Sequence, residues 1–313
     1  MNTEIIYKNF IADEVIEVAI LGDGHINDTY MVKTASGEYV LQRIQKNMNI
    51  SNLEYNYSLY FEALNKYNIQ YPKWLKLRDG SHYYIDEDSN AWRMYPYIES
   101  DAIHQPISVD MLYSYGQGLA KLHSAFREIK TPPIPIYPQL HELKIYYQKY
   151  MNLITSDNNI KSLRDMQIEK QIEQISEQFF IPEEERQSII HADTKLSNVL
   201  FKEGQVIGFI DFDTIMQGPV TVDIADAIRS CCIQNGKLDK DVANSLVEGY
   251  ISLCDESEAK EVQNNLWYDF NKLCFELALR YYIDAISEEN YFKDKEPACK
   301  LERTKALIDS LIV

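Results

Sequence analysis

The chain has 313 residues, which is enough to bury a large core and to fold as two lobes or domains. Hydrophobic residues make up 45% and charged residues 25% of it, the composition of an ordinary soluble globular protein. The formal net charge of −17 argues against nucleic acid or an anionic membrane surface as a partner. Neutral and cationic small molecules both remain compatible with this charge.

Cysteine usage and the lack of long apolar runs predict a cytoplasmic protein. The cysteines include the adjacent pair Cys231 and Cys232 and form no CxxC motif, so neither a disulfide framework nor a zinc site is indicated. The first residues lack the basic and apolar regions of a signal peptide. No apolar run approaches the roughly 20 residues needed to cross a bilayer. We therefore expect no membrane partner.

Residues 1–98 are interpreted as an N-terminal lobe that begins with one or two short helices and a strand ending near Ile20. A turn containing Gly22 and Gly24 follows, and glycine allows the backbone to approach a ligand closely. On the strand that leaves this turn, His25 and Asn27 either face a cleft or satisfy backbone groups of the turn.

The next predicted strand, residues 38–44, carries Gln42 and Arg43 side by side. Because side chains alternate along a strand, only one of the two can face a cleft. A helix from about residue 52 to 67 follows, and Glu54 and Glu62 are the candidate partners for a cation on the strand. The sequence leaves both choices open.

Residues 72–98 are expected to complete the N-terminal lobe. They predict two strand segments around a turn at residues 78–80, and then an apolar strand over residues 91–98 that Pro96 interrupts. We interpret this last strand as running into a hinge whose backbone groups near residues 94–97 are open to a ligand. A plain edge strand would fit this stretch equally well.

Residues 99–313 are interpreted as a larger, mainly helical lobe. Apolar residues recur at helical spacing from Val109 to Glu128, and His123 on this helix is interpreted as a packing residue. A proline-rich connector at residues 131–138 leads to a mostly helical stretch at residues 139–178, of which the part from about residue 160 to 180 is strongly charged.

The most informative pattern lies in residues 188–213, where an apolar strand runs into a polar turn and a hairpin returns to an acidic end. Its polar residues are His191, Asp193, Lys195, Asn198, Asp211 and Asp213. The spacing H-x-D-x-x-x-x-N is that of the protein-kinase catalytic loop, after which a metal-binding Asp ends the next hairpin. A surface turn rich in Asp and Asn is the plain alternative, and the acidic hairpin end at kinase-like distance disfavours it.

These residue types suit phosphoryl transfer, in which a protein mainly positions groups and neutralises charge. Asp193 lies where a hydroxyl nucleophile needs a proton acceptor, and Lys195 could hold the transferring phosphate. Asn198 and Asp211 supply the hard oxygen ligands that Mg²⁺ prefers. The catalytic candidates are therefore Asp193 and Lys195, and the metal candidates are Asn198 and Asp211.

Three residues are interpreted as supports of this loop: His191, Asp213 and Asp223. Asp223 begins a helix after the turn at residues 218–219, where an acidic first turn is favourable. Helices are then expected at residues 239–254, 257–287 and 297–312. The middle one carries Arg280 and is followed by Tyr291, and these two residues either line an acceptor pocket or are a surface ion pair and a packed ring.

A kinase loop in the second lobe would require the first lobe to hold a nucleotide. The glycine turn would then lie over the phosphates, a strand cation would pair with them, and the hinge backbone would bind the adenine edge. The predicted nucleotide-binding residues are Gly22, Gly24, Asn27, Arg43, Met94, Tyr95 and Tyr97.

Residues 191–198 and 210–213 resemble the aminoglycoside phosphotransferase and choline kinase-like superfamily of small-molecule kinases. Within it, several stretches are similar to the N-acetylhexosamine 1-kinase group, and the resemblance spans about residues 20–305. These stretches are residues 24–30, 39–43, 193–198, 210–216 and 226–229. The resemblance implies an α/β (α+β), two-lobed protein-kinase-like fold, with a small antiparallel sheet lobe and a larger mainly helical lobe.

The resemblance also implies ATP- and Mg²⁺-dependent phosphorylation of the anomeric hydroxyl of GlcNAc or GalNAc. The residues implied to hold the sugar are His25, Asp193, Arg280 and Tyr291. A small-molecule sugar is then the partner, with no nucleic acid, and the protein is a monomer or homodimer. One departure is that Gln42 and Arg43 stand where the pattern has a strand Lys.

Other acceptors are compatible with the same motifs. An aminoglycoside, choline, homoserine or methylthioribose would leave the catalytic loop unchanged. A pseudokinase that binds a nucleotide without turnover is the non-enzyme alternative, and the intact Asp193, Asn198 and Asp211 set disfavours it.

Overall fold

A computed structural model describes residues 3–21, 28–103, 105–155, 164–179, 187–287, 291–292 and 296–312. Within these ranges the chain forms a small N-terminal lobe built on an antiparallel sheet and a larger, mainly helical C-terminal lobe. This two-lobed architecture confirms the predicted fold class. The lobe boundary at residue 98 stays a prediction.

The helices of the described ranges lie mainly after residue 108. They are α1 (Thr3–Tyr7), α2 (Ile50–Lys66), α3 (Val109–Phe126), α4 (Leu143–Thr155), α5 (Met166–Ser176), α6 (Val220–Cys231), α7 (Lys240–Ile251), α8 (Glu256–Ile286) and α9 (Pro297–Asp309). Side-chain caps fix where several of them begin. Ser108 accepts a hydrogen bond from the backbone N–H of Met111, and Asp255 forms a capping box with Glu258. In the described ranges, no helix is both long enough and apolar enough to span a bilayer.

The strands of the described ranges are short and mostly paired with a neighbour in sequence. They are β1 (Val15–Ile20), β2 (Thr29–Thr34), β3 (Glu38–Ile44), β4 (Tyr84–Ile85), β5 (Ala91–Pro96), β6 (Ser188–Ile190), β7 (Val199–Lys202), β8 (Gln205–Phe209), β9 (Met216–Gly218), β10 (Ile233–Gln234) and β11 (Lys237–Leu238).

Two strands were expected over residues 72–85, and β4 alone is found there, although the structure describes this whole stretch. The backbone N–H of Leu75 donates to the carbonyl of Met94, and that of Leu77 donates to the carbonyl of Ser81. The chain before β4 therefore touches β5 at one point and turns on itself, so no ladder forms.

The N-terminal sheet has the strand order β1-β2-β3-β5-β4, and all of its neighbours are antiparallel. Leu41 on β3 and Met94 on β5 are paired and belong to the apolar core that this sheet forms with α1. Because side chains alternate along a strand, the next pair, Gln42 and Arg93, lies on the opposite face, which looks toward the C-terminal lobe.

The C-terminal lobe is built around the 31-residue helix α8, which packs against α4, α6 and α9. Beside it, α3 crosses α7 so closely that the crossing requires glycine. A Cβ atom on Gly116 would overlap the backbone of Leu246, and one on Gly249 would overlap that of Tyr113. This contact holds α3 in place behind the loop that follows β6.

Two strand pairs hold the polar loop at residues 191–198 between the lobes. The strand β6 leads into the loop and pairs with β9, which comes later in the chain. The hairpin β7–β8 directly follows the loop. The backbone of Gln70, after α2, bonds to Ile207 and Phe209 on β8 at 2.8 and 3.0 Å. The hairpin is therefore tied to the N-terminal lobe as well as to the C-terminal lobe.

Candidate active site

A cavity of about 1550 Å³ lies between the two lobes. The N-terminal sheet lines one side through Val40, Gln42 and Arg93, and α8 lines the other side through Glu276 and Arg280. Asp193, Lys195, Asn198 and Asp211 contribute to the same cavity. The structure therefore brings the four predicted catalytic and metal-binding residues together, as phosphoryl transfer requires.

His191 holds the loop from beneath and is fully buried. Its Nε2 lies 3.0 Å from the carbonyl of Ile210, which can only accept, and its Nδ1 accepts from the backbone N–H of Asp193 at 3.3 Å. The ring therefore carries its proton on Nε2. Its two nitrogens connect the residue before Asp211 to the backbone of Asp193, which is a bracing geometry.

Asp223 supports the same loop from the first turn of α6. Its carboxylate accepts the backbone N–H groups of His191 and Ala192, each at 2.8 Å, and lies 2.9 Å from His123 Nε2. Burial would raise the pKa of Asp223, but the hydrogen bond and charge of His123 hold it below its ordinary value. His123 also bonds to the Tyr250 hydroxyl at 2.8 Å, as a packed structural histidine.

Asp193 is the centre of the polar loop. Its Oδ2 accepts hydrogen bonds from Lys195 Nζ at 2.7 Å and from Asn198 Nδ2 at 2.9 Å. Burial would raise the pKa of Asp193, but the Lys195 ammonium holds it below its ordinary value. Burial likewise opposes the charge on Lys195, and Asp193 raises the pKa of that ammonium above its usual range. Asp193 is thus ionised at neutral pH and able to accept a proton or a hydrogen bond.

Asn198 and Asp211 meet the chemical requirements of a magnesium site. The amide nitrogen of Asn198 donates to Asp193, which leaves its amide oxygen as a ligand atom. Asp211 adopts a left-handed backbone conformation at φ 66 and ψ 52, and no described residue donates a hydrogen bond to its carboxylate. Burial, together with the charges of Asp213 and Asp193, raises the pKa of Asp211 to about 7. A divalent cation would offset this crowding of negative charge, so the residues fit Mg²⁺.

Within the described part of the chain, no group of three or more His, Cys, Asp or Glu side chains is arranged to hold a metal ion. A site made of one amide and one carboxylate agrees with this result. Mg²⁺ commonly keeps few protein ligands and completes its shell with water and substrate phosphates.

Among the described residues of the N-terminal lobe, Arg93 and not a β3 cation is the buried positive charge. Its Nη1 and Nη2 donate to Asp213 at 2.6 and 2.7 Å, and its Nε donates to Gln42 Oε1 at 2.8 Å. Burial opposes the charge of Arg93, and Asp213 more than compensates, so the pKa of Arg93 is raised. The charge of Asp213 is thus neutralised by a direct ion pair with the N-terminal lobe, which suits its predicted supporting role.

The structure places Arg43 away from the cavity, which corrects the expectation that it faces the phosphates. Gln42 lines the cavity, whereas Arg43 pairs with Asp28 and points to the other face of the sheet. The cause is the strand register, which puts Arg43 on the same face as Leu41.

Neither glutamate of α2 reaches the cavity, although both were candidate partners. Glu54 lies 2.9 Å from His82 Nδ1, and Glu62 is exposed. The α2 residue that lines the cavity is Tyr60, whose ring stacks on Phe212 with a centroid distance of 4.8 Å.

The predicted hinge residues differ in where they lie. Tyr95 and Tyr97 line the cavity, but Met94 does not. The Met94 side chain is fully buried in the core shared with α1, and its carbonyl accepts from Leu75 N at 2.7 Å. Met94 therefore offers no free backbone carbonyl to a nucleotide, in contrast to the expectation from sequence.

Arg280 and Tyr291 form one unit on the cavity wall opposite the sheet. Arg280 Nη2 donates to the Tyr291 hydroxyl at 2.8 Å, and its guanidinium lies over the rings of Tyr291 and Tyr146 at 4.9 and 5.4 Å. Glu276 Oε1 lies 3.6 Å from Arg280 Nη1. The backbone N–H of Tyr291 donates to Asp284 on α8 at 2.8 Å. These contacts fix the guanidinium and the hydroxyl at one place in the cavity.

Gly22, Gly24, His25 and Asn27 lie outside the described residues. Their predicted roles at the phosphates and the acceptor stay predictions. The strands that flank them, β1 and β2, pair from Ile20 with Tyr30 onward.

A model of the family described as "Phosphotransferase enzyme family" matches residues 17–251, which is most of the chain. The match covers the sheet lobe, the polar loop and helices α6 and α7. The chain belongs to the phosphotransferase enzyme family.

One curated relative and two solved structures illustrate the range of this phosphotransferase family. Homoserine kinase from Zymomonas mobilis subsp. mobilis is 23% identical over 252 residues, covering 78% of this chain and 75% of that protein. Amicoumacin kinase hAmiN, solved with AMP-PNP, Ca²⁺ and Ami, gives a TM-score of 0.67 at 13% identity, with 99% of this chain and 93% of that chain covered. The GDP complex of aminoglycoside 2'-phosphotransferase-IIIa gives 0.67 at 13% identity, with 97% of both chains covered. At such identities the two structures show a shared kinase-like fold.

Several cavity residues of this phosphotransferase have no clear signal in the sequence: Arg93, Tyr137, His141 and Glu276. A charge within the apolar strand β5 was the one available clue to Arg93. Tyr137 and His141 follow a proline-rich connector without periodicity, and Glu276 lies on a helix whose charges could all have been solvated.

Proposed function

We propose that this phosphotransferase transfers the γ-phosphate of ATP to the anomeric 1-hydroxyl of an N-acetylhexosamine, GlcNAc or GalNAc. The family establishes phosphoryl transfer, and the polar loop supplies the groups for it. The choice of acceptor rests on the charges of the cavity wall formed by α6 and α8.

The observation that carries this choice is that every carboxylate described on that wall already has a cation beside it. Asp226 pairs with Arg229 at 2.8 Å, and Asp284 pairs with Lys300 at 2.8 Å. Glu276 lies between Arg280 and His141, at 3.6 and 3.5 Å. An acceptor with several ammonium groups would need unpaired carboxylates, because buried charges require partners. A neutral sugar needs hydrogen-bonding groups instead.

In this proposal Asp193 accepts the hydrogen bond of the anomeric hydroxyl and orients its oxygen toward the γ-phosphorus. As that oxygen bonds to phosphorus and the bond to ADP breaks, the hydroxyl proton passes to Asp193. The anomeric hydroxyl is more acidic than an ordinary alcohol, so a carboxylate with a lowered pKa is a sufficient acceptor. Lys195, 2.7 Å from Asp193, is placed to neutralise charge on the transferred group.

Mg²⁺ held by Asn198 and Asp211 would supply charge neutralisation for the nucleotide phosphates. Tyr95 and Tyr97 lie at the sheet side of the cavity, where we propose that the nucleotide base binds. The complex of amicoumacin kinase with AMP-PNP supports an adenine nucleotide, and the GDP complex of the second neighbour makes GTP the donor to compare with ATP.

An acceptor screen with γ-labelled ATP tests the proposal directly. GlcNAc, GalNAc, homoserine, choline and an aminoglycoside would be incubated with the enzyme, and the phosphate position of any product determined by NMR. We expect a 1-phosphate of GlcNAc or GalNAc. Phosphate on an amine-bearing acceptor with none on either hexosamine would contradict the proposal.

Replacement of the loop carboxylate tests the mechanism. We expect Asp193→Asn to lower kcat by about 100-fold or more, because the proton acceptor is lost, while ATP affinity is retained. Steady-state rates and nucleotide binding by calorimetry would measure the two effects. Asp88→Asn, in an exposed turn, is the matched control and should have no effect. Near-normal turnover of Asp193→Asn would refute the assigned role.

Homoserine is the second candidate acceptor. The relative from Zymomonas mobilis is a homoserine kinase, and Arg280 could pair with an amino-acid carboxylate at the position that the sugar would occupy. The same acceptor screen separates the two candidates.

We further propose that the protein is cytoplasmic and acts as a monomer or homodimer on its small-molecule sugar. All five cysteines lie in the described ranges and are free thiols, which is usual in a reducing compartment where ATP is abundant.

A further inference from the structure

Three buried polar atoms on the cavity wall have no hydrogen-bond partner within the described residues. They are the Tyr137 hydroxyl oxygen, His141 Nδ1 and Asp226 Oδ2. Leaving such atoms unpaired costs free energy, and folded proteins rarely do so. A fourth atom of this kind, Asn90 Oδ1, lies away from the cavity, in the turn before β5. The unpaired atoms are thus concentrated where a ligand would contact them.

Asp226 is held so that one oxygen remains available. Its Oδ1 accepts from Arg229 Nε at 2.9 Å and lies 2.8 Å from Arg229 Nη2. Both arginine nitrogens bond to Oδ1, so Oδ2 remains an acceptor for a ligand N–H or O–H. The ion pair also cancels the charge of Asp226, so this oxygen does not demand a cation.

His141 connects the same wall to the catalytic loop. Its Nε2 donates to the carbonyl of Ala192, the residue before Asp193, at 3.0 Å. Its Nδ1 lies 3.5 Å from Glu276 Oε2, which is close enough for an ion pair when the ring is protonated but longer than an ordinary hydrogen bond. A ligand atom that bonds to Nδ1 would lie close to the loop that carries Asp193.

Tyr137 lines the cavity between the two lobes. It is on the connector between α3 and α4, and the charges of Asp213, Tyr291 and Asp211 act on its hydroxyl. Its hydroxyl can donate one hydrogen bond and accept others. Like a sugar hydroxyl, it can act both as a donor and as an acceptor of hydrogen bonds.

We propose that Tyr137, His141 and Asp226 form a polar subsite that binds a neutral, polyhydroxylated acceptor. Asp226 Oδ2 accepts from a ligand hydroxyl or amide N–H, and Tyr137 and His141 bond to neighbouring ligand oxygens. This inference rests on the proposed sugar kinase function and extends it to residues of the connector and of α6. The subsite carries no net unpaired charge, because Asp226 and Glu276 both have arginine partners.

Tyr137→Phe is the test, because it removes one oxygen and leaves the ring. We expect kcat/KM for GlcNAc to fall about five- to thirtyfold, the effect of one lost hydrogen bond, with KM for ATP unchanged. We expect the melting temperature of the ligand-free enzyme to stay the same or rise, because the variant no longer buries an unpaired hydroxyl.

Tyr282→Phe is the matched control. The Tyr282 hydroxyl is buried but donates to Glu169 at 2.7 Å, and Tyr282 does not line the cavity. We expect this control to lower the melting temperature and to leave kcat/KM for GlcNAc unchanged. The two variants should therefore separate a ligand-facing hydroxyl from a structural one.

Monodeoxy analogues of GlcNAc provide a second measurement. One analogue should lose about five- to thirtyfold in kcat/KM with the wild-type enzyme and lose nothing further in Tyr137→Phe, because the same bond is already missing. Additive losses for every analogue would overturn the assignment of Tyr137.

The outcomes also distinguish this inference from the proposed function. If the wild-type enzyme phosphorylates GlcNAc and Tyr137→Phe does so equally well, or if that variant is less stable than the wild type, the subsite is refuted while the sugar kinase function stands. If turnover is confined to charged acceptors such as homoserine or an aminoglycoside, both are refuted.

Discussion

At the scale of single residues, the cavity is organised by partners that lie far apart in the chain. Arg93 reaches Asp213 across 120 positions and uses both guanidinium nitrogens, and each side chain of the pair is 4% exposed. The pair neutralises Asp213 and leaves Asp211, two residues before it, as the carboxylate without a hydrogen bond from the described residues. This separation gives Asp213 a structural role and leaves Asp211 free for the metal role that we propose for it.

Breaking this ion pair should destabilise the protein strongly. We expect Arg93→Met to lower the free energy of unfolding by about 3 to 5 kcal/mol, because Asp213 would be left buried and unpaired. Urea unfolding would measure it. The double variant Arg93→Met/Asp213→Leu removes both charges and should recover most of the loss. A double variant as unstable as the sum of the single variants would contradict the pairing.

His141 should make stability depend on pH. Burial would lower the pKa of His141, but Glu276, the Ala192 carbonyl and then Asp226 raise it above its ordinary value of about 6.5. A raised folded-state pKa contributes stability that is complete below the unfolded-state pKa and is lost as pH rises through the folded-state pKa. We therefore expect His141→Gln to cost more stability near pH 6 than near pH 9, in urea unfolding at the two values.

Glu276→Gln provides the control for this titration. With the carboxylate gone, the pKa of His141 should fall, and the difference between acidic and alkaline conditions should shrink. An equal cost of His141→Gln at both pH values would show that Glu276 does not stabilise the protonated ring.

At the scale of elements, the position of the loop depends on helix packing behind it. The crossing of α3 and α7 allows Tyr115 on α3 to donate its hydroxyl proton to the carbonyl of Thr194 in the loop. The backbones meet at Gly116 and Gly249, where a side chain would overlap the facing helix. The crossing therefore sets how far α3 lies from Asp193.

A single methyl group at this crossing should be enough to disturb it. We expect Gly249→Ala to lower the free energy of unfolding by about 1 to 3 kcal/mol, because the added Cβ would overlap the Tyr113 backbone. Gly37→Ala is the matched control, since no atom lies within 4 Å of a Cβ there. Thermal or urea unfolding of both variants would measure this. A neutral Gly249→Ala would mean that the helices can separate without cost.

At the scale of the whole molecule, ligand binding should couple the two lobes. The cavity draws its walls from both, and the hairpin β7–β8 is bonded to Gln70 of the N-terminal lobe. A nucleotide with Mg²⁺ that contacts both sides would bind the folded state only and stabilise it.

The size of this stabilisation can be measured by thermal unfolding. At a ligand concentration 100 times Kd, we expect AMP-PNP with Mg²⁺ to add about 2.7 kcal/mol, and AMP-PNP with EDTA to add less. Asp211→Asn should remove the Mg²⁺-dependent part while leaving the part due to nucleotide alone. The same stabilisation with and without EDTA would contradict the metal assignment to Asn198 and Asp211.

Local patterns in the sequence were sufficient for much of the fold and for the loop. The helix α3 follows from apolar periodicity, and the bounds of α3, α7, α8 and α9 lie within a few residues of the predicted ones. A second strand was predicted before β4, where the structure describes every residue, and is absent. The stretch before β4 has β-prone residues, but it is joined to β5 by a single hydrogen bond. Propensity describes the chain alone, whereas a strand also needs a partner along its length.

The sequence by itself determined the order and chemistry of Asp193, Lys195 and Asn198, because a turn of six residues brings these side chains together wherever the fold places it. Only the tertiary structure decided that Gln42 and not Arg43 faces the cavity, and that Arg93 is its buried cation. Sheet register and the packing of the two lobes set these partners, and neither can be predicted from the spacing of neighbouring residues. For the same reason, the sequence could not indicate Tyr137, because its proposed role depends on the cavity that its hydroxyl faces in the folded protein.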